Sequence, residues 1–389
     1  MLNENMNEDN TRKHLIDKQL ERVGWNKSMW REEVNTIKSN FIEGEYVIRP
    51  KNPQMIEKGI DRFSDYILLS SDRTPLSIIE AKAYSKNQKK GSSQAITYRQ
   101  DIKKQIGYNL PIFLTNGRKW EYIDFLNNKR EVFGPFSRHD LERRRFLFQN
   151  RKNLQKININ ELIDRRKSRQ ILSKLANWFS DNNRYALIEM ATGTGKTYVA
   201  MGLIDLLKQA NYVKNVLFIA DRVSVADQAA EVGFAKFFPS EPITKLHRED
   251  FTKTATLYSS TLQTLMKYKS YKKFSPGFFD LIVFDEAHRS ILGYKPKELI
   301  YYFDAIKVGL TATPKDLEEK SSYKLFNCEN KKPTVEYSYE EAVDNGVLVE
   351  PETRTVYTDV LTKGIKANKL DSKDKDKLRR QETDPEKWE

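Results

Sequence analysis

Apolar positions in the first third of the chain follow helical spacing in some segments and strand-like runs in others. From about residue 8 they recur at helical spacing and stop at Gly24, which predicts a helix that ends in a turn. Short apolar or β-branched runs between turn-forming residues then predict strands, with one further helix among them. These segments are strands at 63–69 and 76–82, a helix at 92–109, and strands at 111–115 and 120–125. The order predicts one compact α/β unit that ends near residue 136.

The middle of the chain has a different pattern. Four short apolar runs alternate with helical stretches, which is typical of a parallel sheet with helical crossovers. The runs lie at 186–190, 215–220, 280–284 and 307–311. This alternation predicts a second α/β domain.

The chain has 389 residues, which is too long for one ordinary domain of about 100–200 residues. We predict an α/β fold class with two folded units. The predicted divisions are a first unit at 1–137, a basic linker at 138–169, a second unit at 170–325, a connecting segment at 326–363 and a polar tail at 364–389.

Composition narrows the class of protein. Hydrophobic residues make up 39% of the chain, which is enough for real cores, and 67 Lys and Arg against 54 Asp and Glu give a net charge of +13. A polyanion is therefore the first partner to consider. We find neither an apolar run long enough to cross a bilayer nor a signal peptide, so we expect a cytoplasmic protein and no membrane partner. Cys328 is the only cysteine, so a metal ion would be held by carboxylates.

A first group of chemically distinctive residues lies on the two predicted strands near residues 63–82. Glu80 and Lys82 are two positions apart and share one face of their strand, and Asp65 on the preceding strand can reach that face. Two carboxylates that converge at a strand end form an oxygen-rich site for Mg²⁺, and a lysine beside them can orient a water. Gln94 and Tyr98, four residues apart on the next helix, can face the same site. The pattern indicates phosphodiester hydrolysis, and the alternative is a salt-bridged strand end.

A second group begins with the segment ATGTGKT, which follows a predicted strand and opens a predicted helix. Glycines at this position permit a tight loop whose backbone N–H groups face phosphates at a helix N-terminus. Lys196 would reach the β- and γ-phosphates of ATP, and the hydroxyl of Thr197 would bind Mg²⁺. The complete predicted loop comprises Thr192, Gly193, Thr194, Gly195, Lys196 and Thr197.

An acidic pair after the buried run at 280–284 supports that interpretation. Asp285 and Glu286 emerge where ligands bind in open α/β sheets. Asp285 would hold the Mg²⁺ through water, Glu286 would position or activate the attacking water, and His288 would transmit the nucleotide state.

The first unit resembles the N-terminal nuclease domain of type I restriction enzyme R subunits over roughly residues 8–140. The resemblance is carried by IDKQLERVGW, SDYILL, PLSIIEAKA, GSSQAITY and FLTNGRKWEYID. It implies a PD-(D/E)xK nuclease fold in which Asp65, Glu80 and Lys82 carry catalysis, while a QxxxY element, here Gln94 and Tyr98, supports the site or contacts DNA. Ser64 departs from the alanine that is frequent in that family. Glu8 either completes the site or is a surface acid.

The second unit resembles the first RecA-like domain of superfamily 2 helicase-like motors of the DEAH type. The resemblance rests on ADRVSVADQ, STLQTL, DEAHRS and GLTATP. It implies backbone contacts to nucleic acid near Arg222 and Thr261, and coupling of ATP to DNA through Thr311 and Thr313. The adenine-reading glutamine would be Gln170, although Arg169 replaces its usual aromatic neighbour.

The resemblance also implies a second RecA-like domain with an arginine finger, whose motifs we do not find. The segment at 337–352 resembles the lead-in to that domain, so we expect a chain truncated before it. Since an arginine finger is worth roughly 10³–10⁵ in rate, such a chain would bind ATP but hydrolyse it poorly.

The leading functional hypothesis is the restriction subunit of a type I system, or its N-terminal part. It would cut duplex DNA with Mg²⁺, translocate DNA with ATP, and work with methylase and specificity subunits. The alternatives are a stand-alone nuclease-helicase of phage defence or repair, and a truncated module that binds ATP and DNA without turnover. The basic linker is either a solvated set of amphipathic helices or a ridge that contacts phosphates.

Overall fold

The computed structural model describes residues 7–83, 92–246, 251–286, 294–312, 323–328 and 332–350. The first element is α1 (Glu8–Thr11), which continues through a π-helical turn (Arg12–Ile16) into α2 (Asp17–Arg22). Gly24 follows with φ +93°, a left-handed conformation that glycine adopts without steric cost, so the helix ends where the sequence predicts.

The N-terminal sheet has six strands in chain order. Its strands are β1 (Trp30–Asn35), β2 (Phe63–Leu69), β3 (Pro75–Ala81), β4 (Ile112–Thr115), β5 (Trp120–Ile123) and β6 (Lys129–Val132). Only the β3–β4 pair is parallel, and the sheet is therefore mixed. This one parallel pairing requires a crossover, which α3 (Ser92–Ile106) supplies.

A second sheet has seven strands, all parallel, in the order β13-β7-β12-β11-β8-β10-β9. The arrangement is like that of a RecA-like domain. Its strands are β7 (Tyr185–Met190), β8 (Val216–Ala220), β9 (Ile243–Lys245), β10 (Leu257–Thr261), β11 (Leu281–Phe284), β12 (Ile306–Thr311) and β13 (Val335–Tyr337). The central strands are buried on both faces and consist of nearly continuous apolar runs, as parallel strands require.

Helices cover the second sheet and join it to the first. They are α4 (Arg138–Gln149), α5 (Ile159–Leu162), α6 (Arg166–Ser180), α7 (Lys196–Gln209), α8 (Val223–Gln228), α9 (Ala235–Phe237), α10 (Leu262–Met266), α11 (Tyr294–Tyr302) and α12 (Tyr339–Asp344). No helix in the described part of the chain is long and apolar enough to cross a membrane.

Part of the basic segment at 138–169 packs against the parallel-sheet unit. Its helix α4 begins with a capping box between Ser137 and Asp140. Arg143 then donates from Nε to Asp280 at 3.0 Å, and its Nη2 donates to the carbonyl oxygen of Gly277 at 2.7 Å. Two arginines of this helix thus bond to the parallel-sheet unit, since Arg144 reaches it as well, and part of the segment forms an interface instead of a solvated surface.

The second sheet also extends further along the chain than the predicted boundary at 325. Strand β13 pairs in parallel with β7, Val335 lying opposite Ile188. Lys167 of α6 forms an ion pair with Glu341 of the helix after β13. The segment predicted as a lead-in to another domain therefore contributes an edge strand and a helix to this one. The predicted polar tail at 364–389 lies outside the described residues.

Candidate functional site

The strand pairing in the N-terminal sheet brings the two predicted metal-binding carboxylates together. Tyr66 of β2 lies opposite Ile79 of β3, so the antiparallel register continues to place Asp65 beside Glu80. The backbone N–H of Ala81 donates to Asp65 Oδ2 at 2.6 Å. Both carboxylates are buried, with 8% of Asp65 and 2% of Glu80 exposed. The site is therefore a buried acidic pair at the end of two central strands.

Lys82 completes this group, because its Nζ donates to Glu80 Oε1 at 2.7 Å. The other oxygen, Glu80 Oε2, is buried without a hydrogen-bond partner among the described residues. Burial and the neighbouring Asp65 together raise the pKa of Glu80 to about 8, although Lys82 opposes the shift. Burial likewise raises the pKa of Asp65 to about 6, against the Ala81 hydrogen bond and the charge of Arg12. A buried carboxylate oxygen with an unused lone pair fits a divalent cation.

Arg12 is a member of this site that the sequence did not reveal. Its guanidinium Nη2 donates to the backbone oxygen of Asp65 at 3.3 Å, and Nη1 lies 3.7 Å from Asp65 Oδ1. Nη1 also donates to Glu33, a residue with φ +52° in β1. Only 7% of Arg12 is exposed, so the acidic pair has a buried guanidinium beside Asp65 in addition to the half-buried Lys82 beside Glu80. Because Arg12 and Asp65 are 53 residues apart in the sequence, no local sequence pattern predicts this contact.

The predicted helix pair lies at the same place. Gln94 Nε2 donates to Tyr98 Oη, which confirms that the two side chains share one helix face. Burial raises the pKa of Tyr98 to about 12, with smaller contributions from Glu80 and Asp65. Glu8 contributes to the electrostatics of both carboxyls. In the described ranges no cluster of three or more His, Cys, Asp or Glu is arranged to hold a metal ion, so the chain offers two carboxylates here.

The predicted phosphate loop lies between β7 and α7. Gly193 and Gly195 have φ +84° and +94°, which is the left-handed region that favours glycine. Thr194 is buried between them and donates through its hydroxyl to the carbonyl oxygen of Ala191 at 2.6 Å. Lys196 is the first residue of α7, and Thr197 follows it on the exposed first turn. Thr192 is exposed at the start of the loop.

The acidic pair after β11 lies against this loop. Lys196 Nζ is 3.5 Å from Glu286 Oε1. Burial raises the pKa of Asp285 to about 6, Glu286 raises it as well, and Lys196 lowers it. Glu286 has φ +48°, a conformation that a non-glycine residue rarely adopts and that turns the chain directly after the strand. The structure thus brings Lys196, Asp285 and Glu286 to one edge of the sheet.

Arg165, from the segment upstream of the loop, approaches the loop glycine Gly195. A methyl group added at Gly195 would lie 3.0 Å from Arg165 Nη1, and the Arg165 guanidinium lies 5.1 Å from the Tyr198 ring centroid. Gln170 is exposed on α6. Leu348 approaches the other loop glycine, since a methyl group at Gly193 would meet it at 3.3 Å. No sequence pattern predicts that Arg165 and Leu348 lie beside the loop glycines.

The other predicted motif residues lie at carboxyl ends of the parallel strands. Thr261 ends β10 and caps α10, where its hydroxyl accepts the N–H of Thr264 at 3.2 Å. Thr311 ends β12 and is buried. Arg222 precedes α8, and its side chain is 71% exposed. His288 and Thr313 lie outside the described residues.

Comparison with known proteins identifies relatives of this chain. Residues 152–316 match the ResIII family model, described as "Type III restriction enzyme, res subunit", a helicase-like domain. The type I restriction enzyme EcoAI endonuclease subunit of Escherichia coli is 28% identical over 371 residues, which are 89% of this chain and 43% of the relative. The chain is a homologue of type I restriction endonuclease subunits. The EcoKI subunit of Escherichia coli K12 is 30% identical over 193 residues, covering 42% of this chain and 16% of the relative. This homologue thus spans less than half the length of both curated relatives.

Three solved structures are similar to parts of this chain at low TM-scores. A fragment of a putative HsdR subunit of a type I restriction enzyme from Vibrio vulnificus is 21% identical, with a TM-score of 0.38 over 89% of this chain and 61% of that one. The Pyrococcus furiosus Hef helicase domain is 24% identical, with a TM-score of 0.35 over 42% of this chain and 37% of that one. The Sulfolobus solfataricus SWI2/SNF2 ATPase core, solved in complex with dsDNA, is 18% identical, with a TM-score of 0.37 over 60% of this chain and 45% of that one.

Proposed function

We propose that this homologue is the restriction subunit, or the N-terminal part of one, of a type I restriction-modification enzyme. The mixed-sheet unit is a PD-(D/E)xK nuclease that hydrolyses duplex DNA with Mg²⁺. The parallel-sheet unit is the first RecA-like domain of an ATP-driven translocase, and the methylase and specificity subunits are its partners. The observation that carries the proposal is the group of Asp65, Glu80 and Lys82, in which both carboxylates are buried and Glu80 Oε2 has no hydrogen-bond partner among the described residues.

The nuclease residues have separate roles in this proposal. Asp65 and Glu80 hold Mg²⁺, which when bound neutralises charge that develops on the scissile phosphate. Mg²⁺ sites commonly use one or two protein carboxylates and take their other ligands from water and phosphate, so two carboxylates suffice. Lys82 is bonded to Glu80 and lies where it can orient the attacking water. Gln94 and Tyr98 line the same site and support it.

The nucleotide residues are proposed on similar grounds. The match to the ResIII model supports ATP binding by this part of the chain. Lys196 would contact the β- and γ-phosphates, and Thr197 and Asp285 would hold the Mg²⁺ that accompanies ATP. Glu286, 3.5 Å from Lys196, would position the attacking water. Arg222, Thr261 and Thr311 lie along the same edge of the sheet and are proposed to contact or sense DNA.

Cleavage of a supercoiled plasmid by residues 1–389 tests the nuclease proposal. We expect cleavage with Mg²⁺, none with a chelator, and a loss of at least about 100-fold in Lys82→Ala. Lys129→Ala is the matched control, because Lys129 also pairs with a glutamate in this sheet, at 3.0 Å from Glu121. Cleavage by Lys82→Ala at the wild-type rate would exclude this site. A wild-type chain that binds DNA without cutting it would favour a binding module instead.

ATP turnover with and without duplex DNA tests the motor proposal. Lys196→Ala serves as the blank, and a fluorescent ATP analogue measures binding separately. Binding that is lost in Lys196→Ala supports the assigned loop. Turnover stimulated by DNA would show that these residues form a working motor, and binding without turnover would assign hydrolysis to a further domain or partner. Equal ATP affinity of wild type and Lys196→Ala would rule out this nucleotide site.

A further inference from the structure

A large cleft lies between the N-terminal unit and the parallel-sheet unit, away from both candidate sites. Its volume is about 1250 Å³, which exceeds the roughly 300–1,000 Å³ of small-molecule pockets. One wall includes the end of α2 and the start of α4, and the other includes the segments that precede β8, β10 and β11. These segments lie at the amino ends of the parallel strands. The phosphate loop and Asp285 are at the opposite, carboxyl ends, so the cleft is distinct from the nucleotide site.

The cleft is strongly basic. Seven of its lining residues are Lys or Arg, and three are Asp or Glu. One acid, Asp140, is already paired with Arg143 at 3.0 Å within the wall. The remaining cations are Arg22, Arg138, Lys214, Lys253, Lys272 and Lys273. Four of them are exposed lysines contributed by the parallel-sheet unit, and such a concentration of cations attracts a polyanion.

Exposed aromatic rings lie among these cations. Phe146 on α4 is 55% exposed, and Phe133 after β6 is 49% exposed. The Phe133 ring contacts Tyr302 at a centroid distance of 4.8 Å, and Lys272 Nζ lies 5.2 Å from its centroid. Both phenylalanines line the cleft, so their exposed ring faces lie within the basic surface.

We infer that this cleft binds single-stranded nucleic acid. Proteins that hold a single strand combine cations along the backbone with aromatic rings on which unpaired bases stack. A duplex keeps its bases stacked on one another, so it offers phosphates but no free base faces. It would contact the lysines but could not stack on the phenylalanines. An acidic peptide would likewise need the charge alone. The combination of Phe133 and Phe146 with the lysines therefore favours a single strand, and this function goes beyond cleavage and translocation of duplex DNA.

Fluorescence anisotropy with a labelled single strand of about 16 nucleotides, of DNA or of RNA, tests the inference in the full chain. The charge variant is Lys214→Glu, Lys253→Glu and Lys273→Glu combined. Its control replaces three exposed lysines outside the cleft by glutamate, namely Lys58, Lys174 and Lys236. It therefore changes the net charge by the same amount. We expect at least tenfold weaker binding by the cleft variant, a steeper loss with salt in the wild type, and little change in the control beyond a general charge effect.

Substitutions of the two phenylalanines distinguish binding of a single strand from binding of other polyanions. Phe133→Ala and Phe146→Ala should each weaken single-strand binding about fivefold or more and leave duplex affinity unchanged, whereas Tyr301→Ala, an exposed ring outside the cleft, should change neither. A thermal melt of each variant verifies folding. Equal losses for single strand and duplex in the phenylalanine variants, or full displacement of the strand by polyglutamate at matched charge, would overturn the inference. Wild-type affinity in the charge variant would overturn it too. Comparison of the affinities for DNA and RNA strands shows which nucleic acid the cleft prefers.

Discussion

Arg130 donates from Nε to Asp304 Oδ1 at 2.6 Å, and this bond joins the mixed sheet to the parallel sheet. Asp304 is the centre of a larger group, because Arg144 Nη1 and Arg184 Nη2 donate to it at 2.7 and 2.8 Å. Burial raises the pKa of Asp304, but the three arginines outweigh that effect and hold it well below its usual range. One carboxylate thus contacts three guanidinium groups at the junction of the two units, and Asp124 also pairs with Arg130, at 2.8 Å.

Asp304→Asn should destabilise the protein by about 3–5 kcal/mol, since removal of one partner leaves buried charges uncompensated. The measurement is urea unfolding followed by circular dichroism, with Asp181→Asn, an exposed aspartate, as control. Stability within about 0.5 kcal/mol of the wild type would mean that water or rearranged partners compensate the arginines and that the junction contributes little.

The junction also predicts a pH dependence through Lys307. Burial and the neighbouring Arg184 together lower the pKa of Lys307 to about 7, although Asp304 opposes the shift. Because the unfolded chain keeps this lysine protonated up to about pH 10, it binds more protons than the folded chain between about pH 7 and 10, and stability from this group rises with pH there. Lys307→Met should therefore stabilise the protein most at pH 7 and progressively less toward pH 10.

Urea midpoints of wild type and Lys307→Met, compared at pH 7, 8, 9 and 10, measure this effect as a difference. Taking the difference between the two proteins cancels the contribution that other lysines and tyrosines make to the pH dependence of stability. Lys272→Met is the control, as this lysine is exposed. A constant difference between wild type and Lys307→Met over the whole range would show that the Lys307 ammonium titrates as in the unfolded chain.

Arg12 gives a prediction for the nuclease unit. Arg12→Gln removes the buried cation between Glu33 and Asp65, and we expect a loss of about 3 kcal/mol in the free energy of unfolding. Arg12→Lys should recover only part of it, because an ammonium cannot reproduce the forked contacts of a guanidinium. A double-mutant cycle with Glu33→Gln measures the coupling. If the two substitutions are additive, the Arg12–Glu33 bond contributes no stability of its own.

Sequence reasoning succeeded where the pattern is local. The two apolar runs in residues 63–82, separated by turn-forming residues, predict two adjacent strands. The period of two along a strand places Glu80 and Lys82 on one face, where the structure has them bonded. The segment ATGTGKT requires a loop between strand and helix, and its two glycines have the positive φ angles that the loop needs. The chemical roles of these residues remain predictions.

The elements that sequence reasoning missed lack such a pattern. Strands β1 and β6 read WREEVN and KREV, in which charged residues obscure any apolar alternation, and both lie at edges of their sheet. Contacts between distant residues were missed for another reason. Arg143 and Asp280 are 137 residues apart, and a basic run carries no information on which of its members is buried against the other unit.

Gly195→Ala separates backbone strain from nucleotide binding at the phosphate loop. Alanine at φ +94° costs about 1–2 kcal/mol, and its methyl group would lie 3.0 Å from Arg165 Nη1. Gly346→Ala is the matched control, because Gly346 also has a positive φ but no atom within 4 Å of an added methyl group. Both variants should lose about 1–2 kcal/mol of stability in urea unfolding, whereas only Gly195→Ala should bind a fluorescent ATP analogue at least tenfold more weakly. If both variants keep wild-type ATP affinity, the backbone N–H groups of this loop do not hold the phosphates; if both lose it equally, the effect is general strain.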